Sequence, residues 1–280
     1  MKIGFIGVGF VGGNLASNFV ARGYTDLVRY DLGEFKENKD KIKECDVVFI
    51  SVPTPTTPKG FDASILFQVI KIPMEGSVVI VKSTVPAETL RELQTRRPGL
   101  TVMHSPEFLT ENLAEYDTFF PERNIIGISD KDDAVLYDKA RKILEILPVA
   151  NSKFICSYEE SALIKYMGNS FFYVKNVFIN MMYDLAVKYG CDWEMMHAML
   201  VCDSRIHPAH TRVVHKDGRG AGGHCLIKDF AALKRIYRKH LPGDCAGIAF
   251  FNVTERRNIK LLKKTKKDLS LLKGVYGPNV

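Results

Sequence analysis

The sequence predicts an α/β fold: a doubly wound parallel sheet over residues 1–156, followed by an all-helical part over 157–280. Three observations point there. Short apolar runs alternate with helical periodicity through the first half, a glycine-rich turn follows the first of those runs, and the texture changes at Ser157 to long apolar-periodic stretches. At 280 residues with 46% hydrophobic content, the chain can bury a real core. Its N-terminal apolar run is too broken by glycine for a signal peptide or a membrane span. Six scattered cysteines without Cys-x-x-Cys pairs imply a reducing compartment, hence a cytoplasmic protein, with no disulfide framework and no metal site. The formal charge of +7 suits an anionic ligand, although much of it lies in Lys263, Lys264, Lys266 and Lys267, which read as a solvated helix face. No aromatic interleaving accompanies those lysines, so nucleic acid is not an expected partner.

In chain order, residues 2–6 read as a buried strand, followed by Gly7-Val8-Gly9-Phe10-Val11-Gly12 and a helix over 14–20. That context is what the dinucleotide fingerprint requires. Gly7 permits the tight turn, Gly9 lets backbone N–H groups reach a pyrophosphate beside Phe10 and Val11 at the positive helix end, and Gly12 lets helix pack on strand. Asp31, about twenty residues on and at the end of the strand over 27–30, stands where a ribose-binding carboxylate belongs. The arrangement is Rossmann-like and its expected cofactor is NAD; a 2′-phosphate would face Asp31 with like charge unless Arg29 or Lys36 relieved it. Further strands are expected over 46–52, 77–81, 100–103, 124–128 and 153–156. Ligands in such sheets bind at the carboxyl ends of strands, and three polar clusters lie there: Pro53-Thr54-Pro55-Thr56, Lys82-Ser83-Thr84, and His104 through Glu111. Glu107 and Glu111, four apart, share one face if that segment is helical.

Ser157-Tyr158-Glu159-Glu160 has the form of a capping box, and the apolar-periodic run that follows ends at Gly190, a plausible residue just past a helix end. This single helix of about thirty residues would link the two domains. Phe171, Phe172, Val174, Val177, Phe178, Ile179, Met181 and Met182 leave apolar surface on more than one of its faces, so the expected state is a homodimer packed along it. Lys165 and Asn169 stand on one face. A short helix over 192–200 and a polar loop, Asp203-Ser204-Arg205-Ile206-His207-Pro208, lead to Gly220-Ala221-Gly222-Gly223-His224-Cys225-Leu226-Ile227-Lys228-Asp229. Here a thiol follows a glycine-rich turn and precedes a Lys-Asp pair that can open a helix. Glycines let a substrate approach closely, and a helix N-terminus beside a lysine favours thiolate over a thiol whose ordinary pKa is about 8.5. Cys225 reads as a working cysteine and the other five as structural.

Together, the fingerprint, Lys82-Ser83-Thr84, Ser105-Pro106-Glu107-Phe108-Leu109-Thr110-Glu111, Lys165 with Asn169, Asp203 to Ile206, and Gly222 to Asp229 resemble the nucleotide-sugar dehydrogenase family, over about four fifths of the chain. The resemblance implies NAD-dependent, four-electron oxidation of a sugar primary alcohol to a carboxylate, on a UDP-glucose-like nucleotide sugar, for polysaccharide biosynthesis. It makes Cys225 the nucleophile that forms a thiohemiacetal and then a thioester. Lys165 and Asn169 would stabilise oxyanions, Asp229 and Thr84 would position or activate water, and Glu107 and Glu111 would handle protons. Pro53, Thr54, Thr84 and Glu111 would line the cofactor, while Glu107, Phe108, Leu109, Lys165, Asn169, Arg205, Gly222 and Lys228 would touch substrate. The chain departs from the family pattern in a short segment over 34–44, in Ile227 where the family has proline, and in ending before the family's third, nucleotide-binding domain. Two rival readings remain: a two-domain β-hydroxyacid dehydrogenase making one hydride transfer, and a non-catalytic NAD-binding remnant of the family.

Overall fold

The strands expected in the first half pair into one seven-stranded sheet in a computed structural model, which describes residues 1–280 apart from the side chain of Glu111. The chain divides into two compact units, Met1–Thr54 with Asp62–Lys165, and Pro55–Phe61 with Tyr166–Val280. The first unit opens with β1 (Ile3–Ile6), α1 (Phe10–Ala21), β2 (Leu27–Tyr30) and β3 (Val47–Ile50). A hairpin of β4 (Thr56–Thr57) and β5 (Gly60–Phe61) belongs to the second unit, an excursion that the sequence does not signal. The first unit resumes with α2 (Ser64–Val69), β6 (Val78–Val81), α3 (Ala87–Arg96), β7 (Thr101–His104), α4 (Ala114–Phe119), β8 (Arg123–Ile128), α5 (Ala134–Ile146) and β9 (Ser152–Ser157).

The sheet order is β2-β1-β3-β6-β7-β8-β9. Every residue of β1 and β3 is buried, as a parallel sheet covered on both faces requires. Phe5 stacks on Phe49 with centroids 5.5 Å apart, and Phe19 from α1 meets Phe5 edge-on at 5.6 Å, which fixes α1 on the sheet beside the glycine turn. The expectation of an all-parallel sheet needs correction at one edge. The β8 strand pairs antiparallel with β7 through His104 and Gly127, and β9 runs parallel to β8, so the last two strands oppose the other five. Most of the connection from β7 is irregular, and α4 rises only about 9 Å, so the chain re-enters the sheet at the end it left.

The long helix α6 (Tyr158–Lys188) starts as the capping box prescribes: Ser157 N donates to Glu160 Oε2 at 2.7 Å, and Glu160 N donates to Ser157 Oγ at 3.2 Å. Tyr158 Oη donates to Val102 O at 2.6 Å, and Ser161 Oγ lies 2.9 Å from His104 Nδ1, so the first turn of α6 is pinned to the sheet. Beyond its end, Gly190 adopts a positive φ and Cys191 N donates to Ala186 O at 3.0 Å, closing the helix as expected.

The second unit continues with α7 (Trp193–Val201), a hairpin of β10 (Val214–His215) and β11 (Gly218–Arg219), then α8 (Gly223–His240), α9 (Cys245–Lys264) and α10 (Leu269–Tyr276). Lys216 and Asp217 both have positive φ, the signature of a two-residue turn matched to strand twist. Its core packs Ile227 and Ala231 against Leu262, Leu272 and Val275, while Tyr173 of α6 stacks on Phe230 of α8 at 3.9 Å. Arg235 of α8 donates to Thr57 O at 2.9 Å, which ties the 55–61 hairpin into this unit. Among the described residues, no helix is long and apolar enough to cross a membrane.

Candidate active site

The first unit carries the elements of a dinucleotide cradle. Gly7 has φ +83°, and a Cβ there would lie 2.4 Å from Ser51 O; a Cβ on Gly12 would lie 2.0 Å from Gly7 O. Both positions therefore exclude any side chain. A Cβ on Gly9 would meet nothing within 4 Å, so the backbone in front of α1 is open to a ligand, and α1 has no side-chain cap. Its first N–H groups, including those of Phe10 and Val11, are left for a pyrophosphate. Asp31 follows the last residue of β2, and its Oδ1 accepts from Gly33 N at 2.8 Å and Phe35 N at 3.2 Å. One carboxylate oxygen thus shapes the loop while Oδ2 remains for a ribose hydroxyl. Arg29 packs over the Phe35 ring at 5.9 Å. These residues fit NAD.

Beside the cradle, the carboxyl ends of β3, β6 and β7 are stitched together. Thr54 Oγ1 donates to Thr84 O at 2.8 Å, and Ser83 Oγ bridges Val52 O at 2.7 Å and Val52 N at 3.0 Å. Thr54 is buried, Thr84 is half-buried and Pro53 is exposed. Lys82, which the sequence supplies only as part of a motif, proves central. Buried at 7% exposure, its Nζ sits 2.9 Å from Glu107 Oε2 and donates to Ser105 Oγ at 3.1 Å. Glu107 is consequently an ion-paired carboxylate and not a free base. Phe108 lies between two cations, Arg123 at 4.0 Å and Lys165 at 5.3 Å from its ring centre. A half-buried Leu109 follows it. The expectation for Glu111 concerns a side chain outside the described ones. His104, fully buried, is held near pKa 3 by desolvation first, with the Lys82 and Lys165 charges adding to it against the Ser83 backbone. It is neutral at any physiological pH.

The second unit carries the thiol. Helix α8 begins at Gly223, so Cys225 lies exposed within its first turn; the sequence reading, which opened the helix at the Lys-Asp pair, placed the start too late. The reason is a cap from far along the chain. Gly223 N donates to Asp268 Oδ2 at 2.7 Å, and a Cβ on Gly222 would lie 2.1 Å from that oxygen. The preceding residues are held likewise: the fully buried Asn258 side chain exchanges both bonds with the Ala221 backbone, at 2.7 and 2.9 Å, and Lys267 Nζ donates to Gly220 O at 3.0 Å.

One turn beyond Cys225, Asp229 is 1% exposed and accepts on both oxygens: Asn169 Nδ2 donates to Oδ2 at 2.6 Å and Lys228 Nζ to Oδ1 at 2.6 Å. Lys228, expected at substrate, is here an ion-pair partner. Lys165 and Asn169 are one turn apart on the continuous α6, as expected. Arg205 stands apart from this network, with its side chain 87% exposed and bound to Asp203 through Nε at 2.9 Å and Nη2 at 2.6 Å. Of the other cysteines, burial pushes Cys45 and Cys156 up to about 11, so their thiols are inert. Cys191, Cys202 and Cys245 are exposed, a correction to the purely structural reading. Exposure therefore does not single out Cys225; the anchored loop and the Asn169-Asp229-Lys228 network do. No group of His, Cys, Asp and Glu among the described residues could hold a metal.

Residues 26–147 match the sequence model of the UDP-glucose/GDP-mannose dehydrogenase family NAD-binding domain, and residues 159–245 match that of the same family's central domain. A UDP-glucose 6-dehydrogenase of Rickettsia prowazekii is 32% identical in a 213-residue alignment that covers 72% of this chain and 47% of that protein. The chain spans about half the length of the curated UDP-glucose 6-dehydrogenases it matches. Among solved structures, a UDP-glucose dehydrogenase from Pyrobaculum islandicum superimposes with a TM-score of 0.77 at 24% identity, covering 92% of this chain and 68% of that one. A 3-hydroxyisobutyrate dehydrogenase from Mycobacterium tuberculosis superimposes with a TM-score of 0.71 at 16% identity over 100% of this chain and 99% of that one. At these identities the two superpositions speak for the fold alone.

Proposed function

Since the chain belongs to the UDP-glucose/GDP-mannose dehydrogenase family, we propose that it oxidises the primary alcohol of a nucleotide sugar to a carboxylate, with Cys225 as the covalent nucleophile. The proposal assigns cofactor binding to the first unit and covalent chemistry to the second. Bound NAD supplies the hydride acceptor in each of two rounds. In the first, the alcohol loses a hydride and a proton to become an aldehyde. The Cys225 sulfur then bonds to the aldehyde carbon, and loss of a second hydride converts that thiohemiacetal to a thioester. Water breaks the C–S bond, releasing the carboxylate and returning the thiol.

Cys225 carries this reading. A first-turn cysteine on an 18-residue helix, with its loop fastened by Asn258, Lys267 and Asp268, is exposed yet fixed in position. A single hydride transfer needs no such thiol. Asn169 gives one N–H to Asp229 and keeps the other for an anionic oxygen. Asp229, with both oxygens engaged, orients Asn169 and Lys228 in this state; it takes a proton from water only once one donor turns to substrate. The decisive measurement is NADH released per substrate consumed, across a panel of nucleotide sugars and simple hydroxy acids. Two NADH per nucleotide sugar is the expected result. One NADH per hydroxy acid transfers the reading to the β-hydroxyacid dehydrogenases, whose two-domain length this chain shares.

The proposal includes a homodimer. Leu163, Met167, Phe171, Phe178, Met181 and Leu185 are each 45–62% exposed and form one stripe along α6. Such a continuous apolar stripe fits a second copy of itself better than water. Light scattering at micromolar concentration should give twice the mass of 31.5 kDa. A monomer that persists at that concentration is incompatible with it.

A further inference from the structure

A cleft of about 420 Å³ lies entirely within the second unit, between the end of α6, β11 and the last turns of α9, and its lining includes Tyr183, Asp184, Arg219, Arg257 and Lys260. Asp184 is the one carboxylate in the lining. Arg219 reaches it at 2.8 Å and Arg257 also pairs with it. Two further lysines there, Lys188 and Lys264, end their helices, where the negative ends of α6 and α9 account for them. After that allowance, Arg219, Arg257 and Lys260 still face a single carboxylate, leaving a surplus of two positive charges.

Three features make this a built site. Arg219 is held rigidly: its Nε donates to Asn180 Oδ1 at 2.9 Å, its Nη2 donates to Asn180 O at 3.0 Å, and its guanidinium lies 4.7 Å over the Tyr183 ring. Arg257 is half-buried, and its Nε, shielded from solvent, has no hydrogen-bond partner among the described residues, a donor left unfilled. Arg257 and Lys260 stand one turn apart on α9, a like-charged pair that Asp184 offsets only in part.

We propose that this cleft binds a phosphate dianion, either free or as the terminal phosphoryl group of a small molecule, at the Arg219-Arg257-Lys260 face. Two guanidiniums and one ammonium supply the forked donors that phosphate oxygens take, and the dianion matches the surplus charge. The site is separate from the fingerprint, which lies in the other unit, and it does not depend on the reaction assigned to Cys225. Nor is it the α6 face offered for dimerisation. At roughly 100° per residue, Tyr183 and Val187 point about 160° from the centre of the Leu163-to-Leu185 stripe on the helical wheel and Asp184 about 100°, with Lys188 alone of the α6 lining residues, at about 60°, lying toward it.

The test is a thermal-midpoint titration of the full chain with inorganic phosphate at constant ionic strength, with saturating NAD to occupy the fingerprint. Phosphate is expected to raise the midpoint where chloride does not. Arg257→Gln should lower the apparent phosphate affinity by about tenfold, the scale of one lost charge-assisted hydrogen bond. Because that variant also removes one of the two ion pairs of Asp184, Lys260→Gln, an exposed position, is the safer probe, and a loss of about threefold is expected there. Lys41→Gln in the first unit should change nothing. A nucleoside monophosphate that binds more tightly than inorganic phosphate, with the same sensitivity to Lys260→Gln, identifies a phosphoryl ligand; equal or weaker binding identifies the free anion. Equal responses to phosphate and chloride overturn the proposal, as does an undiminished phosphate response in both Arg257→Gln and Lys260→Gln.

Discussion

Cys225→Ala should bind NAD as the wild type does and form no acid. Its side chain is exposed and contributes little packing, so stability should change by no more than about 0.5 kcal/mol. The fingerprint, with Gly7, Gly9, Gly12 and Asp31, lies in the other unit, so cofactor affinity should be unaffected. The alcohol-to-acid rate should fall on the order of a thousandfold or more, since losing a nucleophile leaves only binding and polar stabilisation to act. Any residual turnover should stop after one NADH. Acid formation at the wild-type rate by this variant, measured by coupled NADH release and mass analysis of product, would sink the covalent mechanism.

Acid should loosen the first unit through His104, and over a defined window. The ring is fully buried; Ser161 Oγ donates to Tyr158 O at 3.0 Å, so in the 2.9 Å contact with His104 it accepts from Nδ1–H, and burial keeps the imidazole neutral. Its folded pKa lies near 3 against an ordinary 6.5. Between those values the unfolded chain binds a proton that the folded chain refuses. The stability contributed by the neutral ring is therefore complete above about pH 6.5 and drains away as pH falls toward 3. Between pH 7.5 and 5.5, where carboxylates stay ionised, this one group should cost about 1.4 kcal/mol. Hydrogen exchange of the β6 and β7 amides reads the first unit by itself. His104→Gln should flatten that part of the profile, and an unchanged slope in the variant would mean that another group is responsible.

What the sequence made legible follows from how locally each feature is encoded. The fingerprint, the strand before it, the Ser157-Glu160 capping box and the turn at Gly190 each depend on residues within one or two turns of chain, and all are where the pattern puts them. The reversal of β8 was hidden because apolar runs such as 124–128 carry no mark of direction; the geometry of the connection decides that. The start of α8 was misjudged for a related reason. The residue that caps it, Asp268, is 45 positions downstream and looks like an ordinary polar residue in a lysine-rich run. Lys82 stands out in the sequence only as a motif member, because its pairing with Glu107 needs two neighbouring strands in register, and sequence spacing alone does not report that.

The clamp on the Cys225 loop also sets an order of events during synthesis. Ala221 waits for Asn258, Gly223 for Asp268 and Gly220 for Lys267, separations of 37, 45 and 47 residues. At roughly 5 to 20 residues per second, the ribosome adds that stretch in about 2 to 9 seconds. During this interval the Cys225 thiol already exists on a loop that nothing yet holds, whereas the dinucleotide fold, made wholly from earlier residues, can already have formed.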